Sequence, residues 1–253
     1  MEYNWKDICR RLTDRLFIPC RPVAVQYSER REDLEAIEKI RIPTKTYPPC
    51  VVINQAAQFG WTAACVPEHI HANYCRGIHG MFQRDERWYS GKIFEGAWFD
   101  DVEQARAHHA ALSCMPAKYA GMAATPLLSG RLPNPDVCIL YLNPAQAFLL
   151  LSAYQFDHYE KLNFTFVGES TCSDSWVATI LTGKPKLSLP CAADQKFASV
   201  SANYVLVSMK PYDLVNAIES LDKLYKNGLR YPMASHSLTT DIIPGLPKHY
   251  LEY

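Results

Sequence analysis

Four cysteines in this chain lie in local contexts that favour chemistry over simple packing. Cys50 follows two prolines and is predicted to begin a helix, while Cys75, Cys172 and Cys191 lie in predicted loops or at helix starts. At such positions the free backbone N–H groups and the positive end of the helix dipole stabilise a thiolate. The thiolate is the form of cysteine that binds metals and attacks carbon. The sequence therefore singles out these four residues as candidate metal ligands or nucleophiles.

The spacing of the four cysteines matches no compact metal-binding motif. Cys50 and Cys75 are 25 residues apart, and Cys172 and Cys191 are 19 residues apart. Zinc ribbons and bacterial ferredoxins instead use cysteine pairs separated by about two residues. If the four sulfur atoms meet in space, soft sulfur ligation selects zinc or an iron-sulfur cluster. The alternatives for the same residues are reduced thiols in the core and a redox-active pair.

Histidines supply a second group of candidates close to one of these cysteines. Glu68, His69 and His71 precede Cys75 within eight residues. Histidines two residues apart on an extended segment face the same way, so this set predicts a zinc or iron site or a general acid beside a substrate. The adjacent pair His108–His109 lies in a predicted helix, where neighbouring side chains diverge by about 100°. We expect that pair to lie on the solvated surface.

Four polar residues are each candidates for either a functional role or a local structural role. Glu169 and Asp174 flank Cys172 and are predicted to tune a thiolate or a cluster, although Asp174 is equally suited to cap a helix. Asn143 and Gln146 are candidate cofactor-binding residues. Asn143 is also a natural N-cap, because it precedes Pro144 at a predicted helix start.

Hydrophobic periodicity predicts helices that alternate with strands. The predicted helices cover residues 5–17, 29–41, 51–59, 101–112, 144–153 and 173–181, and the predicted strands cover residues 22–27, 62–66, 121–128, 136–142, 162–167 and 204–209. This alternation is typical of an α/β fold with mixed α+β layers.

The chain has no evident linker, so we predict a single domain over residues 1–253. Its core covers about residues 20–210, followed by a C-terminal helix over 211–227 and an extended tail over 229–253. Segments 53–75 and 142–172 each run from a predicted helix through a predicted strand to a cysteine. This similarity leaves open a duplicated helix-strand-cysteine unit.

Composition excludes several classes of protein. The chain has 253 residues with 26 basic and 26 acidic side chains, and a neutral chain lacks the basic surface of a nucleic-acid binder. Its longest apolar stretch is well below the roughly 18–20 residues that span a membrane, and its polar N-terminus predicts a cytoplasmic protein. A reducing cytoplasm does not keep disulfides, so we expect the nine cysteines to be free thiols. Cys65, Cys114 and Cys138 lie in apolar stretches and are predicted core residues.

Several stretches of this chain are similar to those of a known family. They span about residues 20–210 and include Arg21–Val25, Tyr47–Cys50, Thr125–Leu128, Pro135–Val137, Asn143–Ala147 and Thr182–Cys191, with single matches at Ala56, Cys75, Gly77 and Cys172. On these residues the chain resembles the uncharacterised ArCR family, domain of unknown function number 169. The resemblance implies a shared fold and cysteines that match Cys50, Cys75, Cys172 and Cys191, but it implies no reaction.

Two short segments depart from the family pattern. The family tends to have Cys-Pro-Gly-Gly where this chain has Cys75-Arg-Gly-Ile, and Cys-x-Gly-Asp-Arg where this chain has Cys191-Ala-Ala-Asp-Gln. The lost glycine and arginine put an anion or substrate contact at these segments in doubt. The four thiols remain in place.

Together, residue types and resemblance predict a cytoplasmic protein in which the four cysteines hold an iron-sulfur cluster. A 4Fe-4S cluster is the preferred species and zinc is the alternative. Such a centre would carry out or assist a redox or Lewis-acid reaction on a small molecule or exchange electrons with a partner protein, with His69, His71 and Glu169 beside it. A cluster held by three cysteines would leave one iron position for a substrate and would make the protein an enzyme.

Two other functions and the state of assembly stay open at this point. One alternative is a non-catalytic metal- or ligand-binding sensor or accessory module. The other is a metal-free enzyme with a cysteine nucleophile that a neighbouring histidine activates. The sequence leaves open whether the protein forms a homo-oligomer, and it predicts neither a nucleic-acid partner nor a membrane partner.

Overall fold

A single open sheet organises the chain. The structure, a computed structural model, describes residues 3–233. In chain order the strands are β1 (Val23–Ser28), β2 (Ala63–Cys65), β3 (Gly121–Pro126), β4 (Val137–Leu142), β5 (Lys186–Ser188) and β6 (Val205–Met209). Across the sheet their order is β2-β3-β1-β4-β6-β5, and every neighbouring pair is antiparallel. The prediction of a mixed α/β domain is confirmed.

Helices flank this sheet. They are α1 (Trp5–Leu16), α2 (Arg31–Glu35), α3 (Pro49–Phe59), α4 (Asn73–Ile78), α5 (Glu86–Tyr89), α6 (Val102–Ala111), α7 (Pro144–Gln155), α8 (Ala178–Thr182), α9 (Ala192–Lys196) and α10 (Pro211–Lys226). A π-helical turn over Ser173–Val177 leads directly into α8, and short 3-10 turns cover Pro67–His69 and Leu127–Ser129. No helix among residues 3–233 is long and apolar enough to cross a membrane.

The alternation of side chains along each strand divides the core into two layers. In β1, Val23 and Val25 belong to one layer and Ala24 belongs to the other, as expected from the twofold repeat of a strand. Helices α1, α7 and α10 bury their apolar faces against the second layer. Helix α3 covers the first layer, together with α4, α5, the π-helical turn and the loops that join them. The candidate site lies in this first layer.

The predicted strand over residues 162–167 is wrong. This segment has no regular structure, and most of its side chains are exposed, including the apolar Phe164 and Phe166. Its polar groups bind a side chain instead, because Thr165 Oγ1 and Val167 N donate to the carboxylate of Asp174 at 2.9 and 2.7 Å. Asp174 therefore fixes this loop.

Two further predictions need correction. The predicted helix over 29–41 is limited to Arg31–Glu35, and Lys39 takes a positive φ of 59° that a helix cannot contain. The two segments of the suspected duplication are not equivalent, because α3 is followed by β2 whereas α7 is followed by the irregular loop, and α3 and α7 lie on opposite faces of the sheet. The predicted tail lies mostly outside the described residues.

Candidate functional site

The four cysteines selected from the sequence line one cavity of about 500 Å³. Cys50 lies in the first turn of α3, Cys75 lies in α4, Cys172 directly precedes the π-helical turn, and Cys191 is the N-cap of α9. The cavity is thus lined by one cysteine from each of four separate elements.

Local sequence explains how two of these elements begin at their cysteines. Pro49 occupies the first position of α3, where the missing N–H of proline breaks no helical hydrogen bond, and Cys50 follows it. At α9 the side chains of Cys191 and Asp194 form a capping box, with Cys191 N donating to Asp194 Oδ2 at 3.3 Å. Both cysteines therefore lie at helix N-termini, as predicted for Cys50.

Cys172 precedes an unusual stretch of helix. The π-helical turn Ser173–Val177 is a rare element that occurs often at functional sites. It places Trp176 in the cavity wall, where the indole stacks on the His79 ring with centroids 5.8 Å apart. The Cys172 Sγ lies 3.3 Å from the Ser170 hydroxyl, which can donate to a thiolate.

Glu169 lines the cavity and also ties its walls together. Its carboxylate accepts hydrogen bonds from the first two N–H groups of α9, those of Ala192 and Ala193, at 3.1 and 3.4 Å. The backbone carbonyl of Glu169 accepts a hydrogen bond from the Tyr74 hydroxyl at 2.9 Å. Glu169 therefore holds the Cys191 helix next to the Cys75 helix, which extends the predicted role of tuning the site.

Burial raises the pKa of all four thiols. It raises the pKa of Cys75 to about 12 and that of Cys191 to about 11, and it holds the pKa of Cys50 and Cys172 well above the ordinary value of 9.0. Neighbouring negative groups add to this effect, since Cys50 is influenced by each of the other three cysteines. The thiols are consequently neutral at pH 7 unless a cationic centre stabilises their thiolates.

Several buried polar atoms around the cavity have no hydrogen-bond partner within the described part of the chain. They include Asp194 Oδ1 and His79 Nε2, and both residues are fully buried and line the cavity. Burial also raises the pKa of Asp194 and lowers the pKa of His79 to about 3. Native proteins rarely leave such groups unsatisfied, so these two atoms are candidate contacts for a bound molecule or water.

The donor set fits a polynuclear cluster better than a single ion. A zinc ion needs its sulfur ligands at about 2.3 Å, which brings them within roughly 4 Å of one another. Among residues 3–233 no group of three or more His, Cys, Asp or Glu side chains is arranged to hold one metal ion. In a 4Fe-4S cluster each cysteine binds a different iron, so the cysteines have to line a shared volume, and these four cysteines line one cavity.

The predicted histidine group is only partly at the cavity. His71 lines it, whereas His69 does not, and Glu68 instead forms an ion pair with Arg31. Buried His69 Nδ1 has no hydrogen-bond partner. The structure therefore keeps His71 among the residues beside the proposed centre and separates it from Glu68 and His69.

Asn143 and Gln146 lie on the opposite face of the sheet. They form the capping box of α7, in which Gln146 N donates to Asn143 Oδ1 at 2.9 Å. Gln146 Nε2 also donates to the carbonyl of Leu16 at 2.8 Å, which joins α7 to α1. Neither residue lines the cavity, and their contacts give them a structural role.

The prediction that His108 and His109 are solvated is wrong. Their exposed fractions are only 6% and 2%, because aromatic rings cover both sides of α6. Phe99 lies against His108 with centroids 5.0 Å apart, and Trp88 lies edge-on to His109 at 5.0 Å. The pair thus supports the cavity wall from behind.

His79 is a site residue that the sequence analysis missed. It follows Cys75 by four residues at the end of α4, a spacing that places two side chains on the same helix face. His79 Nδ1 lies 2.6 Å from the buried Tyr27 hydroxyl on β1. The sequence signal that could have identified His79 is its position four residues after Cys75, one of the four selected cysteines.

Comparison with known proteins supports the resemblance found in the sequence. No curated protein and no solved structure matches this chain. A family model described as uncharacterised ArCR, domain of unknown function 169, matches residues 11–220. That match covers most of the chain and includes all four cysteines of the cavity. The chain therefore belongs to the uncharacterised ArCR family.

Proposed function

We propose that this protein binds an iron-sulfur cluster, of the 4Fe-4S type, through Cys50, Cys75, Cys172 and Cys191. The observation that carries the proposal is the arrangement of four thiols from four separate elements around one largely apolar cavity. Sulfur-only donors select iron-sulfur clusters or zinc, and a cluster would accommodate four cysteines that come from separate elements.

Binding by the four thiols would require a cationic guest. Four neighbouring thiolates in a buried cavity repel one another, and their ionisation requires compensating positive charge. A bound cluster supplies one-electron transfer or, at an iron with an open position, Lewis acidity. The chain would supply the thiolates and exclude water with its apolar walls, and Glu169 and His71 line the same cavity.

The metal-free thiol enzyme has less support. A nucleophilic cysteine needs a lowered pKa and, in most enzymes, a histidine that accepts its proton. Burial raises the pKa of all four candidates. Within the described part of the chain, no imidazole forms a hydrogen bond with any of these four thiols.

Anaerobic purification followed by iron, sulfide and zinc analysis tests the proposal. We expect brown protein with about four iron and four sulfide per chain. Cys172→Ser should lose most of the iron, because it removes one ligand from the cavity. Cys138→Ser is the matched control, since Cys138 is fully buried in the opposite core layer and should keep the cluster.

Three outcomes would contradict this proposal. The first is colourless protein with one zinc per chain, which favours a structural site. The second is metal-free protein in which alkylation consumes one reactive thiol, which favours the thiol enzyme. The third is a full iron content in Cys172→Ser. A cluster that cannot be reduced and responds to no small molecule would instead favour the sensing or accessory function.

A further inference from the structure

The mouth of the cysteine cavity carries apolar side chains that are exposed to water. Ile93, Trp98 and Phe197 line the cavity, and their exposed fractions are 47%, 50% and 58%. We call these three residues the rim. Exposed apolar groups gathered at the opening of a cavity are typical of a ligand-binding site.

The loop that carries two rim residues is held in place by a buried anchor. Phe94 lies edge-on to the Tyr74 ring at 4.6 Å and packs against His109 at 5.3 Å. Its carbonyl accepts hydrogen bonds from the N–H groups of Ala97, Trp98 and Phe99 at 3.0 to 3.2 Å. The rim is thus formed before a ligand arrives, which lowers the entropic cost of binding.

The charges around the cavity select against anions. Within the described residues its lining contains no lysine or arginine, whereas it contains the carboxyl groups of Glu169 and Asp194 and the four thiols. A carboxylate or phosphate ligand would therefore lose its hydration without gaining a basic partner. This lining favours an uncharged ligand.

Two ring nitrogens in the cavity wall, His79 Nε2 and Trp176 Nε1, are buried without a hydrogen-bond partner among the described residues. The His79 side chain is fully buried, which favours the neutral form of its imidazole. The Tyr27 hydroxyl lies 2.6 Å from His79 Nδ1. Burial raises the pKa of the Tyr27 phenol, so the phenol keeps its hydrogen and can donate it to the Nδ1 of a neutral imidazole. In that arrangement the hydrogen of His79 is on Nε2, which has no hydrogen-bond partner among residues 3–233.

We propose that the rim and His79 bind an uncharged, largely apolar ring compound that carries a hydrogen-bond acceptor such as a carbonyl oxygen. The ring packs against Trp98 and Phe197, and the acceptor receives the hydrogen of His79 Nε2. A cavity of about 500 Å³ has the size of a small-molecule site. This inference rests on the proposed function in one respect, since it names the class of small molecule that the cluster would act on.

Equilibrium dialysis of the full chain with three related probes tests the inference. Acetylnaphthalene has the ring and a neutral acceptor, naphthalene has only the ring, and naphthoate has the ring with a negative charge. We expect acetylnaphthalene to bind tightest, and naphthoate to bind more weakly by about tenfold or more, which corresponds to the loss of one desolvated polar contact.

Variants distinguish the rim from the exposed aromatic residues elsewhere. Trp98→Ala should weaken acetylnaphthalene binding by about tenfold or more, as truncation of a central aromatic contact does. His79→Phe should abolish the preference for acetylnaphthalene over naphthalene while naphthalene still binds. Phe166→Ala is the matched control, because Phe166 is 70% exposed and lies outside the cavity lining, and it should bind all three probes like the wild type.

The dialysis is run on both anaerobically purified and metal-free protein, so that the two proposals can fail separately. If protein that never contains iron binds the three probes in the expected order, the cluster proposal is refuted and the pocket proposal is supported. Three results would refute the pocket proposal, whatever the iron content. They are equal binding of the three probes, tightest binding of naphthoate, and unchanged binding of acetylnaphthalene by Trp98→Ala.

Discussion

The buried histidine beside the cavity makes folding stability dependent on pH. His79 has a pKa of about 3 in the folded protein against an ordinary value of 6.5, because burial disfavours its charged form. Above pH 6.5 neither the folded nor the unfolded chain binds this proton, so His79 contributes nothing to the pH dependence. Below 6.5 the unfolded chain takes up the proton while the folded protein does not, and stability falls until the pH reaches about 3.

The size of this effect follows from the two pKa values. At pH 5 the unfolded-state pKa of 6.5 lies 1.5 pH units above the solution pH, which corresponds to about 2 kcal/mol of lost stability. His79→Phe removes the titrating group and keeps a flat ring between Tyr27 and Trp176. We expect this variant to lose about 1–3 kcal/mol at pH 7, because the Tyr27 hydroxyl loses its acceptor. Its further loss between pH 7 and pH 5 should be about 2 kcal/mol smaller than that of the wild type.

Urea unfolding of metal-free protein under reducing conditions measures the stability at pH 7 and the loss of stability between pH 7 and pH 5. Cluster release makes no contribution to either value. The free energy of unfolding is determined at pH 7 and pH 5 for the wild type, His79→Phe and the control His158→Gln, whose histidine is exposed. The control should retain the full acid-induced loss of the wild type. The same loss in His79→Phe as in the wild type would refute the assignment of a buried, neutral His79.

Two further predictions concern the scaffold around the site. Gln146→Ala removes the hydrogen bonds of the Gln146 side chain to Asn143 N, Leu16 O and Phe17 O and should lower the free energy of unfolding by about 2 kcal/mol. Urea unfolding and iron analysis check this, and iron loss in the folded variant would place Gln146 nearer to the centre than the structure does. Gly77→Ala would bring a methyl group to 2.4 Å from Trp88 Nε1. We therefore expect this variant to lose about 1–3 kcal/mol of stability in the same urea assay. Unchanged stability would mean that the Trp88 side chain can move away from the methyl group.

Local periodicity was sufficient to predict most of the regular elements. The alternation in β1 and the apolar run of β4 identified strands that are indeed buried. Their antiparallel pairing could not be predicted, because β1 lies between β3 and β4 in the sheet and those pairings join residues about a hundred positions apart. The segment 162–167 alternates like a strand, but a side chain rather than a neighbouring strand binds its backbone.

The candidate site was predictable where its residues carry local signals. Prolines and loop residues around the four cysteines indicated reactive positions, and these cysteines line one cavity. Burial of His108 and His109 had no local signal, since α6 has a weak amphipathic pattern and the covering rings come from Trp88 and Phe99 outside the helix. Tertiary packing, rather than helix periodicity, decides the exposure of such residues.

The two proposals assign different parts of the cavity to different tasks. The cysteines provide anionic sulfur ligands for a cationic centre, whereas the rim provides apolar surface and His79 provides a neutral donor. A redox or Lewis-acid centre beside an apolar pocket would act in an environment from which water is largely excluded, where electrostatic interactions are stronger. Glu169 links these parts, because it joins the helix of Cys191 to the helix that precedes His79.

X-ray absorption at the iron edge of the anaerobically purified protein tests the central claim most directly. We predict a first shell that contains only sulfur, with an iron neighbour beyond it, since the four thiolates and the bridging sulfides are the ligands. The same spectrum should persist in Cys138→Ser and be lost in Cys172→Ser. Protein without iron, or iron surrounded mainly by nitrogen and oxygen, would contradict the account.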